Sequence, residues 1–215
     1  MRPDLVIFDC DGVLVDSEPI ANRVFVEHLA RHGIAMTLRE ALRDLTGRSL
    51  PACVALLEAR HSRRLPEDFS DTLQAATMLA FEGELKPVPG IVAALDRIDC
   101  ATCVASSSAH AKIRLSLTLT GLLARFEGRI FSASEVPRGK PHPDLFLHAA
   151  ARMGHAPARC TVIEDAAPGV EAGIAAGMTV LAFAGAAHAD GARLAAAGGR
   201  VFRDMAVLPQ LLGCR

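Results

Sequence analysis

Two aspartates, Asp9 and Asp11, close an apolar run from Leu5 to Phe8, and Gly12 follows them directly. Acids at the end of a buried run cost desolvation energy unless something compensates them. A hard divalent cation is the usual compensation, because it takes carboxylate oxygens. Read by itself, the pair also fits a solvated Asp-x-Asp turn. Three further polar interruptions change that balance. Ser106-Ser107-Ser108 follows the apolar run at Thr102–Ala105, Glu164-Asp165 follows Thr161–Ile163, and Lys140 stands in Arg138-Gly139-Lys140-Pro141-His142-Pro143-Asp144. Taken together, Asp9, Asp11 and Asp165 can supply oxygens to Mg²⁺, with Glu164 as a further ligand or as a group that orients the ligands. The Ser106 hydroxyl, the backbone N–H groups of Ser107 and Ser108 at a helix start, and Lys140 can hold an anion. Such a site suits a phosphate, and a carboxylate aimed at its phosphorus can act as a nucleophile.

One site requires elements that bring these stretches together. From Ile91 onward apolar runs alternate with helical spacing. Helices are expected at Ile91–Ile98, Ala109–Leu119, Pro143–Met153 and Val170–Ala176, with strands at Thr102–Ala105, Arg129–Ser132, Thr161–Ile163, Thr179–Phe183 and Val201–Phe202. Alternation of this kind predicts an α/β fold, a parallel sheet with helices on both faces. Right-handed crossovers put every carboxyl end of the strands on one edge, where ligands bind in such sheets. Residues 17–86 differ, with helical spacing broken at Gly33, Gly47 and Pro66 into about four helices. The expected division is therefore a core of residues 1–16 and 87–215 and an inserted helical unit of residues 17–86. The alanine-rich stretch Ala186–Gly199 predicts one more helix.

Composition excludes other classes. The 215 residues are 51% hydrophobic and 22% charged, with net charge −1, which gives no global attraction to nucleic acid or an anionic membrane. No apolar run approaches the roughly 18 residues of a membrane span. Arg2 is followed at once by Asp4 and Asp9, unlike a signal peptide, so a cytoplasmic protein is expected. Six scattered cysteines read as free thiols. Cys100 and Cys103 lie at the entry to a strand, where residues three apart face opposite ways, which argues against a metal or redox pair.

Four motifs in order carry a resemblance: Asp9-Cys10-Asp11-Gly12-Val13-Leu14-Val15-Asp16-Ser17-Glu18, the Ser106 stretch, Gly139-Lys140-Pro141-His142-Pro143-Asp144 and Glu164-Asp165-Ala166-Ala167-Pro168-Gly169. The chain resembles the haloacid dehalogenase-like hydrolase superfamily over essentially its whole length. The resemblance implies a doubly wound parallel-sheet core of strand order 5-4-1-2-3 with a helical cap that sets substrate specificity. It implies Asp9 as nucleophile, Asp11 as general acid/base, and Mg²⁺ held by the Asp9 side chain, the Asp11 backbone carbonyl and Asp165. Ser106 and Lys140 join the catalytic set, and Gly12, Ser107 and Arg48 are the expected substrate contacts. An acid at position 11 suits a leaving alkoxide, which needs a proton, and therefore a phosphatase or phosphomutase rather than a dehalogenase.

The resemblance implies a Mg²⁺-dependent phosphatase acting on a small phosphorylated metabolite, a sugar or sugar-acid phosphate, through an aspartyl-phosphate. The alternative is a phosphomutase of the β-phosphoglucomutase type; a non-catalytic phosphosugar binder would not need both Asp9 and Asp11. Against the mutase, Ala21 stands where those enzymes carry a histidine, and no lysine falls between Pro66 and Gly83. Asp16 reads as a turn cap, His142 as a helix-start residue, and His28, His32 and His61 as surface histidines.

Overall fold

The structure, a computed structural model, describes residues 2–45, 50–186 and 189–214, without the side chain of Arg43. The chain divides into two compact units, residues 1–16 with 86–215 and residues 17–85. In the first unit β1 (Leu5–Phe8) precedes the insertion and the remaining strands and most helices follow it. The order after residue 86 is α5 (Ile91–Arg97), β2 (Ala101–Ser106), α6 (His110–Leu119), α7 (Leu123–Phe126), β3 (Ile130–Ser132) and α8 (Asp144–Arg152). Then come β4 (Cys160–Glu164), α9 (Ala167–Ala175), β5 (Thr179–Phe183), α10 (Gly191–Ala196), β6 (Arg200–Phe202) and α11 (Leu208–Leu211). Among its described residues the second unit holds four helices, which stand first to fourth in the chain and are here labelled αA (Glu18–Arg31), αB (Leu38–Leu45), αC (Leu50–His61) and αD (Phe69–Glu84).

The six strands pair in parallel in the order β3-β2-β1-β4-β5-β6. This is the expected 5-4-1-2-3 order with β6 added outside β5. All four residues of β1 are buried, as an inner parallel strand covered on both faces requires. The chain passes to opposite sides of β1 on reaching β2 and β4, so the topological switch lies at the end of β1, where Asp9 stands. On one face of the sheet Leu5, Ile7, Cys103, Val162 and Val180 pack with Leu145, Phe146 and Ala149 of α8 and Val170 and Ala172 of α9. Gly173 lets α9 approach closely, since a Cβ there would lie 2.6 Å from Val180 Cγ2.

In the helical unit, αA and αD meet through an edge-on Phe25–Phe69 pair with centroids 6.3 Å apart. The sequence Thr37-Leu38-Arg39-Glu40 forms a reciprocal cap on αB: Thr37 N–H donates to Glu40 Oε2 at 2.8 Å and Glu40 N–H to Thr37 Oγ1 at 3.2 Å.

Two expectations need correction. The helix expected over Ala186–Gly199 is only Gly191–Ala196 among the described residues, because Asp190 sets its start by accepting from Ala192 N and Arg193 N. His28 is buried rather than on the surface, at 6% exposure, between His32 and Phe69. αA begins after Ser17, and the Asp16 N–H donates to Lys86 O. All six cysteines are free, and no described helix is long and apolar enough to cross a membrane.

Candidate active site

The carboxyl ends of β1, β2 and β4 meet at one ammonium group. Lys140 Nζ lies 2.6 Å from Asp9 Oδ1, 2.6 Å from Glu164 Oε1 and 3.2 Å from Ala105 O. An ammonium has three hydrogens, and these contacts use all three. Lys140 arrives on the loop between β3 and α8 and packs over the Phe146 ring, 4.9 Å from its centroid. Its side chain is 6% exposed. Burial would depress the Lys140 ammonium, but Asp9 and Glu164 outweigh burial and hold it above the usual lysine range.

Asp9 follows β1 with its N–H on Ile163 O at 3.0 Å, which carries the sheet ladder one residue further. It is 7% exposed. Burial pushes its carboxyl up to about 7, against the pull of Lys140 and with Glu164 adding repulsion. Glu164 ends β4 and is 1% exposed. Lys140 holds its Oε1, while the N–H groups of Asp165 and Ala166 donate to its Oε2, each at 2.9 Å. Burial raises its pKa too, with Lys140 opposing. Two glycines make room for these acids. Gly12 has φ +77°, and a Cβ there would overlap the Asp165 carboxylate. A Cβ on Gly169 would overlap the Glu164 carboxylate.

The oxygens of Asp9, Glu164 and Asp165 lie within 4.8 Å of one another. Asp11 stands outside that group: its Oδ2 accepts from Lys112 Nζ at 2.8 Å and from Ser108 Oγ at 2.9 Å. The two ammoniums of Lys140 and Lys112 thus face four carboxylates, which leaves two negative charges when all are ionised. An all-oxygen donor set with that surplus fits a hard divalent cation. Asp9 and Asp165 are the side chains placed to hold one. Both Glu164 oxygens already accept hydrogen bonds, which fits orienting the ligands.

The serine stretch differs from the sequence expectation. Ser106 is the last residue of β2 and α6 starts only at His110, so Ser107 and Ser108 precede the helix rather than open it. The Ser108 N–H is turned inward to Ser106 Oγ at 3.1 Å. The structure brings Asp9, Asp11, Gly12, Ser106, Lys140, Glu164 and Asp165 to this edge. Arg48 lies outside the described residues. Sequence reasoning missed Lys112 and the Ser108 hydroxyl, because their common partner, Asp11, lies about a hundred residues away in the chain.

Comparison with known proteins gives the chain a family. Residues 3–177 match the family described as haloacid dehalogenase-like hydrolase. The 6-phosphogluconate phosphatase of Escherichia coli K12 is 31% identical over 188 residues, covering 87% of this chain and 85% of that protein. A haloacid dehalogenase-like protein of Agrobacterium tumefaciens C58 superposes with TM-score 0.90 at 35% identity, covering 98% of this chain and 97% of that one. A family hydrolase of Deinococcus radiodurans R1, solved with bound phosphate and sodium, gives TM-score 0.85 at 34% identity, with 99% and 96% covered.

Proposed function

The chain belongs to the haloacid dehalogenase-like hydrolase family, a phosphoric monoester hydrolase by that kinship, and we propose that it is a Mg²⁺-dependent phosphatase of sugar or sugar-acid phosphates in the cytoplasm. The observation that carries the reading is Lys140 between Asp9 and Glu164 at 2.6 Å each, with Asp165 completing three carboxylates within 4.8 Å. The relative that hydrolyses 6-phosphogluconate supports the substrate class.

In this reading Asp9 is the nucleophile. Its carboxylate attacks phosphorus, a bond from Asp9 oxygen to phosphorus forms, and the bond from phosphorus to the substrate oxygen breaks. Asp11 gives its proton to the leaving oxygen, then takes one from the water that hydrolyses the aspartyl-phosphate. Lys140 fixes Asp9 through Oδ1 and offsets the repulsion between carboxylate and phosphate. When bound, Mg²⁺ supplies further neutralisation of the phosphate charge, with Asp9, Asp165 and the Asp11 carbonyl as its protein ligands and Glu164 as their support. Ser106, whose hydroxyl accepts from Ser108 N and keeps its own proton to donate, holds a phosphate oxygen together with the Ser107 N–H and the Gly12 turn. The helical unit, Arg48 included, selects the substrate.

Hydrolysis is favoured over transfer within a sugar, because Ala21 has no group to hydrogen-bond or to move a proton. The test is a screen for phosphate release from hexose phosphates, 6-phosphogluconate, phosphoglycolate and nucleotides, in Mg²⁺ and in excess chelator. Release from phosphosugars in Mg²⁺ alone is expected. No release from any ester would reject the reading. Conversion of β-glucose 1-phosphate to glucose 6-phosphate faster than phosphate release would favour the mutase.

A further inference from the structure

Lys112 stands beside the site with no part in the reaction described so far. It projects from α6, and its Nζ lies 2.8 Å from Asp11 Oδ2 and 3.1 Å from Ser108 Oγ. Ser108 Oγ itself donates to the same Asp11 oxygen at 2.9 Å. The three groups therefore close a triangle on one carboxylate oxygen. Ser108 is not a loose member of it. Its N–H is on Ser106 Oγ at 3.1 Å, and its carbonyl accepts from Ser132 Oγ at 2.8 Å, at the end of β3. The clamp on Asp11 is thus tied to the ends of β2 and β3.

An aspartate carboxylate has several staggered orientations, and only one presents it to a given leaving oxygen. Two donors converging on one oxygen select among them. The Asp11–Lys112 pair joins residues 101 apart in the sequence and is partly buried, at 20% and 27% exposure. Its geometry differs from that of a flexible surface pair, which contributes little to stability. Burial would depress the Lys112 ammonium, but the adjacent Asp11 keeps it protonated.

Resting on the reading of Asp11 as the group that protonates the leaving oxygen, we propose that Lys112 is a positioning residue that, with Ser108, clamps Asp11 Oδ2 and fixes the direction in which that carboxyl meets the substrate. Misplacement of a reacting group by about 1 Å can cost roughly 10²-fold in rate. Loss of the base role slows hydrolysis of the aspartyl-phosphate alike for every ester and lowers kcat; the loss in kcat/KM, which reads the step that expels the leaving group, must fall on protonation. It must therefore be large for an alkyl phosphate and small for an aryl phosphate whose leaving group needs little protonation.

The test measures kcat and KM of the wild type, Lys112→Met, Lys112→Arg, Asp11→Asn and the Asp11→Asn/Lys112→Met double variant in Mg²⁺. The probes are 6-phosphogluconate and p-nitrophenyl phosphate. Lys112→Met is expected to lower kcat/KM on 6-phosphogluconate by about 10- to 10²-fold and to change kcat/KM on p-nitrophenyl phosphate by less than about threefold. Lys112→Arg is expected to restore most of the loss. In the Asp11→Asn background Lys112→Met should cost little more, because the two residues act as one unit. Equal losses of kcat/KM on both esters, full additivity with Asp11→Asn, or an unchanged Lys112→Met kcat/KM on 6-phosphogluconate would overturn the proposal. If Lys112→Met fails to fold, the same ester comparison on Lys112→Ala decides it: a loss confined to the alkyl ester supports the clamp, and any other pattern overturns it. A wild type inert on both esters would reject the hydrolase reading and this proposal with it; an active wild type beside an unaffected Lys112→Met would reject this proposal alone.

Discussion

Buried polar groups are treated differently in the two units. At the sheet edge Lys140 spends all three hydrogens on protein oxygens, and Glu164 accepts three hydrogen bonds. In the helical unit His28 is as deeply buried; its Nε2 lies 3.1 Å from Thr72 Oγ1, but among the described residues its Nδ1 has no hydrogen-bond partner. The first arrangement fixes three strand ends at one point and holds charge where phosphate chemistry needs it. The second is a packing compromise between αA and αD, with His28 filling space against Phe69 at 4.9 Å. A fully satisfied network rigidifies its surroundings, whereas an unpaired buried atom only lowers stability.

The contrast is broken most severely at Lys140. Lys140→Met strands Asp9 and Glu164 as buried carboxylates. Removing one partner of a buried pair typically costs about 3–5 kcal/mol. Thermal melting is expected to show a large loss of stability, and phosphate release should cease. A variant that melts like the wild type would show that Lys140 is not the anchor of the edge.

Asp11→Asn comes next. The kcat/KM for alkyl phosphates, which reads the step that expels the leaving group, should fall by roughly 10²–10⁴, the usual worth of a positioned acid/base, and that for aryl phosphates should fall less. Melting should change little. Equal losses on the two ester classes would remove Asp11 from the protonation role.

Metal and pH sharpen the comparison further. The folded pKa of Asp9, about 7, lies above that of an exposed carboxyl. The fold therefore holds a proton that the unfolded chain has released, and this contribution is lost as pH rises from about 4 through 7. The metal-free protein should melt lower at pH 8 than at pH 5. Mg²⁺ should restore more at pH 8, where it does not compete with a proton. Equal shifts by Mg²⁺ at both pH values would contradict this.

His28 gives the smallest effect. Burial, with His32 and Arg31 nearby, lowers its pKa. The unfolded chain binds the proton more readily, so stability is lost as pH falls through about 6.5. His28→Leu should remove that acid sensitivity, changing the melting temperature by a few degrees, about 2–4 °C per kcal/mol for a chain of this size, and should leave kcat unchanged. A changed kcat would tie His28 to the reaction.

Much of the edge was legible because its residues break apolar runs. Asp9, Ser106 and Glu164-Asp165 each interrupt a strand, and a parallel sheet has only one carboxyl edge on which to collect them. Lys140 was legible only through its motif, since nothing local says that a loop lysine will reach β1 and β4. Lys112 was not legible. It looks like any helix-surface lysine until β1 and α6 are side by side, because its partner is 101 residues away. Residues such as His28 fail for a related reason: helical spacing shows which faces are apolar, but not which neighbour will cover a polar ring. The short α10 shows a local rule, the Asp190 cap, overriding the alanine propensity around it.

The central claim is that Asp9 takes the phosphoryl group. Asp11→Asn should slow hydrolysis of the intermediate, so that variant, mixed with p-nitrophenyl phosphate and Mg²⁺, should accumulate it. Acid quenching and borohydride reduction convert an aspartyl-phosphate to homoserine, which peptide mass spectrometry locates. Homoserine at position 9, absent without Mg²⁺ and absent when Asp9 is also replaced by Asn, is the predicted result. Turnover that persists when Asp9 is replaced by Asn, or homoserine at another position, would contradict the account.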